Sequence, residues 1–295
     1  ELDLFGRGRS LKTAALEQYL ATEQARSAAR ISLVGAVAGS YLALAADRDN
    51  LRLAQETLKT QQAFYELILR TREAGLASDL DVRQAQSQVE AARADIARYT
   101  GQVALDENAL NLLVGTPVPA SLLPSELGSD RVLKDIAAGI PSEVLLRRPD
   151  ILMAEHRLKA ADASIGAARA AFFPRISLTG GVGFLSSELQ NLFTYNTRTW
   201  NFAPQATLPI FDSGARKANY KVAQVDRDLA IAEYEKAIQS AFREVSDALV
   251  LRAKLVEQQE AQRALLATLE ETYRLSEARY KAGIDSYLSV LVAQR

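Results

Sequence analysis

The feature that most constrains this 295-residue chain is an internal repeat. When the sequence is shifted by 208 positions, residues 58–86 align with 266–294, and 11 of the 29 aligned positions are identical. Ordinary composition would give about two identities by chance. Further upstream, Leu4-Phe5 followed by Gly8 resembles Ile210-Phe211 followed by Gly214. This self-similarity indicates that one long unit occurs twice, with the first copy cut off at its front.

Within each copy the apolar residues recur with helical spacing. In the first copy they alternate three and four positions apart from Val34 to Leu69, and in the second they do so from Ile231 to Tyr273. Apolar residues recur with the same spacing over two shorter stretches, 82–113 and 151–168. An average spacing of 3.5 residues is the period of coiled coils. We therefore predict long helices that pack through narrow apolar seams.

The first copy carries the signals of a helical hairpin. No proline lies between Leu11 and Leu113, so the first helix is predicted from about Leu11 to Glu73, roughly 90 Å long. Gly75 is placed to end this helix, because glycine is favoured just past a helix end. Ser78 is then placed to cap the next helix.

Two further details make local predictions. The basic segment from Gly6 to Ser10 is typical of a joint between a strand and a helix, with Ser10 as the candidate cap. The uncharged run 31–46 is shorter than the ~20 residues of a membrane-spanning helix. Its small residues predict a stretch where helices pack closely.

Residues 172–211 change from helical spacing to strict alternation. Apolar residues occupy every other position from Ile176 to Phe184, and after a polar loop they do so again from Trp200 to Ile210. This pattern predicts a β-hairpin with one apolar face. Two environments fit it: a soluble, half-buried hairpin, or membrane-barrel strands with Trp200 and Phe202 near a lipid interface.

Composition excludes several classes of function. The 35 basic and 36 acidic residues leave no basic surplus for nucleic acid. Without cysteine and with His156 as the single histidine, thiolate and multi-histidine metal sites are ruled out. Asp79 and Asp81 fit helix-start carboxylates, and Gly180 to Gly183 fit a curved strand better than a phosphate loop. We therefore predict no catalytic activity, no cofactor and no metal.

Several ordered motifs resemble one family. They are Arg147-Arg148-Pro149-Asp150-Ile151, Ala154-Glu155, the run from Ile165 to Gly180, the start from Glu1 to Arg7, and the doubled tip Gly75-x-x-Ser78-x-Leu80-x-Val82 and Gly283-x-x-Ser286-x-Leu288-x-Val290. Together they resemble the outer-membrane factors of tripartite efflux pumps, the TolC-like channel proteins, and among these the OprM-like branch. The resemblance covers the whole chain.

The resemblance implies a mainly α fold with a β-hairpin, assembled as a homotrimer. In this family four strands per subunit form a twelve-stranded outer-membrane β-barrel, and long antiparallel helices form a periplasmic α-barrel. The chain begins at Glu1 and stops inside a predicted helix, so we expect a longer protein, and a lipid anchor stays open. The implied segments are 1–9 (strand end and joint), 10–114 (first helical hairpin), 115–149 (equatorial connector), 150–171 (α-barrel helix), 172–212 (β-hairpin) and 213–295 (second helical hairpin).

The implied function is an exit duct in the outer membrane of a Gram-negative bacterium. It would pass drugs or other solutes from an inner-membrane transporter of the resistance-nodulation-division class. The helix tips would bind a periplasmic adaptor protein through Gly75, Ser78, Leu80, Val82, Gly283, Ser286, Leu288 and Val290.

The resemblance also implies a closed gate just past the second tip. Leu288 fits the apolar gate position, but Val292 stands where that branch has an acid, with Arg295 nearby. An apolar constriction resists ions by dewetting.

Two other functions fit parts of the pattern. The same fold serves as the duct of type I protein secretion. Alternatively, a soluble coiled-coil scaffold would explain the 3.5-residue ladders, but it leaves the aromatic residues of the alternating strand without a role.

Overall fold

The computed structural model describes residues 1–125, 127, 142–285 and 287–293. The predicted connector 115–149 lies only partly within these ranges. The long elements confirm a mainly α fold with a β-hairpin. They are helix α1 Arg7–Glu73, helix α2 Asp79–Val114, helix α3 Pro149–Ala170, strand β1 Arg175–Phe184, strand β2 Arg198–Thr207, helix α4 Ala215–Lys281 and helix α5 Tyr287–Ala293.

The chain divides into two compact units. The first unit comprises residues 1–29 and 139–247, and contains α3 and the β-hairpin. The second comprises residues 30–138 and 248–295, and contains α2 and α5. The helices α1 and α4 contribute residues to both units.

An aspartate caps the joint before α1, and the prediction that Ser10 does so is wrong. The Asp3 carboxylate accepts hydrogen bonds from the backbone N–H groups of Gly8 at 3.0 Å and Arg9 at 2.8 Å. A carboxylate at this end also interacts favourably with the helix dipole. The helix therefore begins at Arg7, and Ser10 lies inside its first turns.

In the first unit α1 and α3 pack closely. A Cβ atom added at Gly166 would lie 2.6 Å from the Ser10 hydroxyl oxygen, so a side chain at this position would require that hydroxyl to move. About two turns further along α1, and nearly three turns back along α3, the Nδ1 atom of His156 lies 2.6 Å from Glu17 Oε2. The histidine therefore belongs to a partly buried polar pair between two helices, with Glu17 as its partner.

The Arg147–Ile151 motif has a structural role at the start of α3. Pro149 occupies the first helical position, where its missing N–H costs nothing. The Arg148 guanidinium donates to both Asp150 carboxylate oxygens, at 3.0 and 2.7 Å, and to Glu244 of α4 at 2.7 Å. The hydrogen bonds that Arg148 donates raise its pKa, with the larger effect from those to Asp150 and the smaller from the one to Glu244. The motif thus fastens α3 to α4.

In the second unit α1 and α2 form an antiparallel pair with an apolar seam. Near the open end of the pair, Arg48 donates to Glu107 at 2.6 Å and to the Pro124 carbonyl oxygen at 2.5 Å. On α2 the buried residues follow the predicted 3.5-residue spacing, whereas on α1 only Leu44 belongs to the predicted series. The buried members of the seam are Leu44, Ala45, Ala54 and Ile68 on α1 and Ala85, Val89, Ala92 and Leu110 on α2.

The run 31–46 shows the predicted close helix packing only at its end, where Leu44 and Ala45 are buried. Ile31 and Val34 are each 61% exposed, and a Cβ added at Gly35 or Gly39 would meet no described atom within 4 Å. By length and composition alone, α1 includes an 18-residue window, with a mean hydropathy of 1.5, that could cross a membrane. The surface around Ile31 and Val34 is therefore left largely exposed by the described residues.

Candidate partner-binding site at two helical tips

The first tip is a tight turn that joins α1 to α2. Gly75 has a φ of 74°, a left-handed conformation that glycine adopts without steric cost. The Gly75 N–H donates to the Arg72 carbonyl at 2.9 Å, and the Leu76 N–H donates to the Thr71 carbonyl at 3.0 Å. This is the Schellman pattern, which satisfies the last carbonyls of a helix. The predicted helix end at Gly75 is therefore confirmed in the structure.

Ser78 begins α2 with a reciprocal cap. Its hydroxyl accepts a hydrogen bond from the backbone N–H of Asp81 at 3.2 Å, and its own N–H donates to the Asp81 carboxylate at 2.9 Å. Two otherwise free donors are satisfied in this way. The hydrogen bonds from the Ser78 side chain and backbone lower the pKa of Asp81.

The second tip repeats the same backbone pattern. Gly283 has a φ of 71°, its N–H donates to the Tyr280 carbonyl at 2.9 Å, and the Ile284 N–H donates to the Arg279 carbonyl at 3.0 Å. Both glycines lie in open space, with no described atom within 4 Å of an added Cβ. The repeat found in the sequence is thus also a repeat in backbone geometry.

The two tips pack against each other through a small apolar core. Ile68, Ala85 and Val290 are at most 1% exposed, and aromatic side chains surround them. Burial raises the pKa of the Tyr280 hydroxyl, and the negative charge of Asp81 raises it further. The partly buried neighbours are Phe64, Tyr65, Val82, Tyr273 and Tyr280.

This core changes the assignment of two predicted contact residues. Val290 is buried and Val82 is partly buried, so both contribute to the packing between the tips. Among the other predicted residues, Gly75 is exposed and Leu80 is 65% exposed. Ser286 lies outside the described residues, and so does the side chain of Leu288.

Each tip presents one exposed aliphatic residue that the sequence prediction missed. Leu76 follows Gly75 and is 82% exposed, and Ile284 follows Gly283 and is 64% exposed. The two residues are 208 positions apart, so they are equivalent in the repeat. Leu76 and Ile284 are not identical, so a comparison of identical positions between the two copies does not find them. A comparison of chemical type finds both, because each is aliphatic.

An ion pair closes each tip, but the two pairs occupy different positions. At the first tip Arg72 lies 2.9 Å from Asp79. At the second tip Arg279 donates to Asp285 at 2.5 Å, which lowers the pKa of that carboxyl group. The backbones therefore agree, while the charges around them differ.

The predicted gate is described only in part. Val292 lies in α5 and is 69% exposed. The backbone of Leu288 belongs to the same helix, whereas Arg295 lies outside the described residues.

The β-hairpin carries its apolar side chains on one exposed face. β1 and β2 are antiparallel and ten residues each, with Val182 opposite Trp200 and Gly180 opposite Phe202. Val182, Trp200 and Phe202 are 88%, 78% and 61% exposed. A strand of about ten residues, tilted by about 45°, has the length needed to cross a bilayer.

The remaining chemistry gives no sign of a reaction centre. In the ranges that the structure describes, no three His, Asp or Glu side chains cluster in a way that could hold a metal ion. Asp79 and Asp81 act as helix-start carboxylates, as predicted.

Comparison with known proteins identifies the family. The family model described as "Outer membrane efflux protein" matches residues 1–116 and 140–295. The chain belongs to this family. The resemblance drawn from the sequence motifs is therefore confirmed, and with it the outer-membrane location. This is a family of outer-membrane channels with a transport function.

Individual relatives agree. The chain is 51% identical to the probable efflux pump outer membrane protein TtgC of Pseudomonas putida over 296 residues, which is all of this chain and 61% of TtgC. It is 49% identical, with a TM-score of 0.93, to a crystal structure of a membrane protein from Pseudomonas aeruginosa, covering 100% of this chain and 69% of that one. It is 42% identical, with a TM-score of 0.89, to the open state of the MtrE outer membrane channel of Neisseria gonorrhoeae, covering 100% and 66%. The chain thus spans about three fifths of the length of its curated relatives.

Proposed function

We propose that this chain is the larger part of an outer-membrane exit duct in a tripartite efflux pump. The observation that carries the proposal is the pair of matching tips, each with an exposed aliphatic residue after a left-handed glycine. Family membership supplies the context, since TtgC is named an efflux pump outer membrane protein. The duct passes drugs or other solutes and catalyses no reaction, so the energy comes from an inner-membrane transporter.

The duct is a homotrimer. A two-stranded hairpin has unpaired edges, which lipid does not tolerate, and closure into a barrel with other copies removes them. The exposed apolar run of α1 around Val34 likewise needs a neighbouring helix to cover it. Three subunits with four strands each would close a twelve-stranded barrel, as the family resemblance implies.

The tips bind the periplasmic adaptor that connects the duct to the transporter. Leu76, Leu80 and Ile284 form an exposed aliphatic group at the end of the helical pairs. Exposed aliphatic residues on a rigid turn are suited to a protein partner. The gate lies just beyond, at Leu288, Val292 and Arg295, and is apolar where the related branch is acidic.

Two alternative functions explain fewer of the observations. A type I protein secretion duct would share the fold, but the names of the relatives favour efflux. A soluble coiled-coil scaffold would leave Trp200 and Phe202 on the exposed face of a hairpin without a reason.

The test uses the full-length protein in a Gram-negative strain that lacks its own duct. Leu76→Asp combined with Ile284→Asp should abolish drug export and crosslinking to the adaptor, while the trimers still form. The matched control is Leu112→Asp, because Leu112 in α2 is also 82% exposed but lies away from the tips. Normal export in the double variant, or an equal loss in the control, would refute the tip assignment.

A further inference from the structure

The loop that joins β1 to β2 is unexpectedly apolar. Residues 185–197 are predicted as a polar loop, yet the largest side chains of this loop are aliphatic or aromatic and are exposed. Two short 3-10 turns order its backbone. The exposed residues are Leu185 at 75%, Leu189 at 86%, Phe193 at 80% and Tyr195 at 82%.

The loop continues the apolar face of the hairpin. Phe184, the last residue of β1, shares that face with Val182 because side chains alternate along a strand. The Phe193 ring meets the Phe184 ring edge-on, with centroids 5.6 Å apart. The apolar surface therefore extends past the ends of the strands and into the loop.

One cation lies on the same face at this end. Arg198 is opposite Phe184, two residues from Trp200, so its side chain leaves the strand on the apolar side. Its guanidinium carbon lies 5.5 Å from the centroid of the Tyr195 ring, within the range of a cation–π interaction. An arginine among exposed aromatic residues at the edge of an apolar belt matches the composition of a bilayer interface.

No described acidic residue pairs with the charge of Arg198. In the part of the chain that the structure describes, Arg198 forms no ion pair, and the one acid of the loop, Glu188, accepts a hydrogen bond from Asn191 at 2.7 Å. Arg175, at the opposite end of β1, differs because it pairs with Glu1 at 2.9 Å. An exposed guanidinium of this kind has free donors in a planar fork, and that geometry suits phosphate oxygens.

We infer that Arg198, together with Tyr195 and Trp200, binds the phosphate group of a lipid in the leaflet farther from the helices. The acyl chains of that lipid would lie along Val182, Phe184 and Phe193. The inference rests on the proposed membrane duct, in which the helices are periplasmic and this end of the hairpin faces the outer leaflet. The ligand class is a phosphorylated amphiphile, and the site fixes the height of the barrel in the membrane.

The test is native mass spectrometry of the full-length trimer in detergent, titrated with bisphosphorylated lipid A or with the same lipid after removal of both phosphates. The wild type should retain the phosphorylated lipid more strongly, by roughly tenfold, as expected for charge-assisted hydrogen bonds. Arg198→Gln should lose this preference, and Arg198→Lys should keep part of it.

A positional control is available at the neighbouring residue. Thr199 lies on the opposite face of β2, opposite Gly183. The exchange Arg198→Thr with Thr199→Arg keeps the composition but moves the cation to the other face, so it should behave like Arg198→Gln.

Three results would overturn the inference: equal retention of both lipids by the wild type, full retention by the exchanged variant, or displacement of the lipid by millimolar inorganic phosphate, which would mean a free-anion site. Trimer content and drug export are measured on the same variants. Intact export without any lipid preference would refute this site alone, whereas loss of the membrane-inserted trimer itself would refute the proposed function.

Discussion

At the scale of single residues, Asp106 shows how burial changes the chemistry of a carboxyl group. It lies on α2 against Asp47 of α1, and its Oδ2 atom is buried without a hydrogen-bond partner among the described residues. Burial, and to a smaller extent Asp47, raise the pKa of Asp106, although a hydrogen bond from Gln102 opposes the shift. Because the folded state holds this proton more tightly than the unfolded state, stability falls as pH rises from the unfolded pKa through the raised value.

We therefore expect Asp106→Asn to be more stable than the wild type at neutral pH, because the amide carries no charge to bury. The gain should vanish below pH 4, where the unfolded carboxyl group is also protonated. Urea unfolding at several pH values measures both effects. Asp95→Asn is the control on the same helix, since Asp95 is exposed and paired with Arg98; an equal response of the two variants would contradict this account.

The cap at Ser78 gives a second prediction at this scale. Ser78→Ala removes the acceptor for the Asp81 N–H and should destabilise the protein by about 1 kcal/mol. The lowered pKa of Asp81 contributes stability that is lost as pH falls through that value. Ser78→Ala should therefore also reduce the loss of stability at acidic pH that is due to Asp81. Thermal unfolding is the measurement. Ser87→Ala is the control, because the Ser87 hydroxyl donates only to the Gln84 carbonyl of its own helix, and a matching loss there would count against the cap.

At the scale of elements, the tips depend on backbone conformation more than on space. Gly75 and Gly283 both have positive φ, and open space surrounds each. A side chain at either position would therefore be strained without clashing, and the cost is about 1 kcal/mol or more for a β-branched residue.

We expect Gly75→Val and Gly283→Val to impair export while leaving trimers intact, because the strained turn would reorient Leu76 or Ile284. Growth in the presence of exported drugs and native gels of the trimer measure the two properties. Gly101→Val is the matched control, since Gly101 also lies in open space but inside the regular helix α2. Normal export in both tip variants would show that the conformation of the tips is not needed for export.

The elements also show which parts of the fold a sequence can predict. The helical spacing, the C-terminal end of α1 and the cap at Ser78 follow from signals within a few residues of each other, and all three were predictable. The cap at Asp3 was not, because this carboxylate reaches N–H groups five and six residues away. The exposure of Leu76 and the burial of Val290 depend on how two distant tips pack together, and no local signal carries that information.

At the scale of the whole molecule, the exposed surface exceeds what a single globular chain needs. The chain exposes 21539 Å², whereas a compact monomer of 32.2 kDa exposes about 12,000 Å². Large exposed apolar surfaces in native proteins mark contacts with other proteins or with membrane. The surplus here is consistent with helices and strands that complete their packing against further parts of a longer protein or against other copies of it, since the chain spans 61% of TtgC.

We expect electron microscopy of the full-length protein in detergent to show a hollow threefold cylinder longer than ~100 Å, since a helix of 67 residues alone has about that length. A detergent belt should surround the end that carries the β-hairpin. Monomers without a belt or a lumen would contradict the duct and favour the scaffold.

The unequal ion pairs of the two tips have a consequence for how this molecule can evolve. Duplication gave both tips one backbone, yet Arg72–Asp79 and Arg279–Asp285 arose at positions that the repeat does not equate. A trimer would display six loops of two alternating kinds, so a partner with a single type of contact surface must tolerate both. One kind can then accumulate substitutions while the other preserves recognition, which gives a lineage freedom to exchange partners without first losing the one that it has.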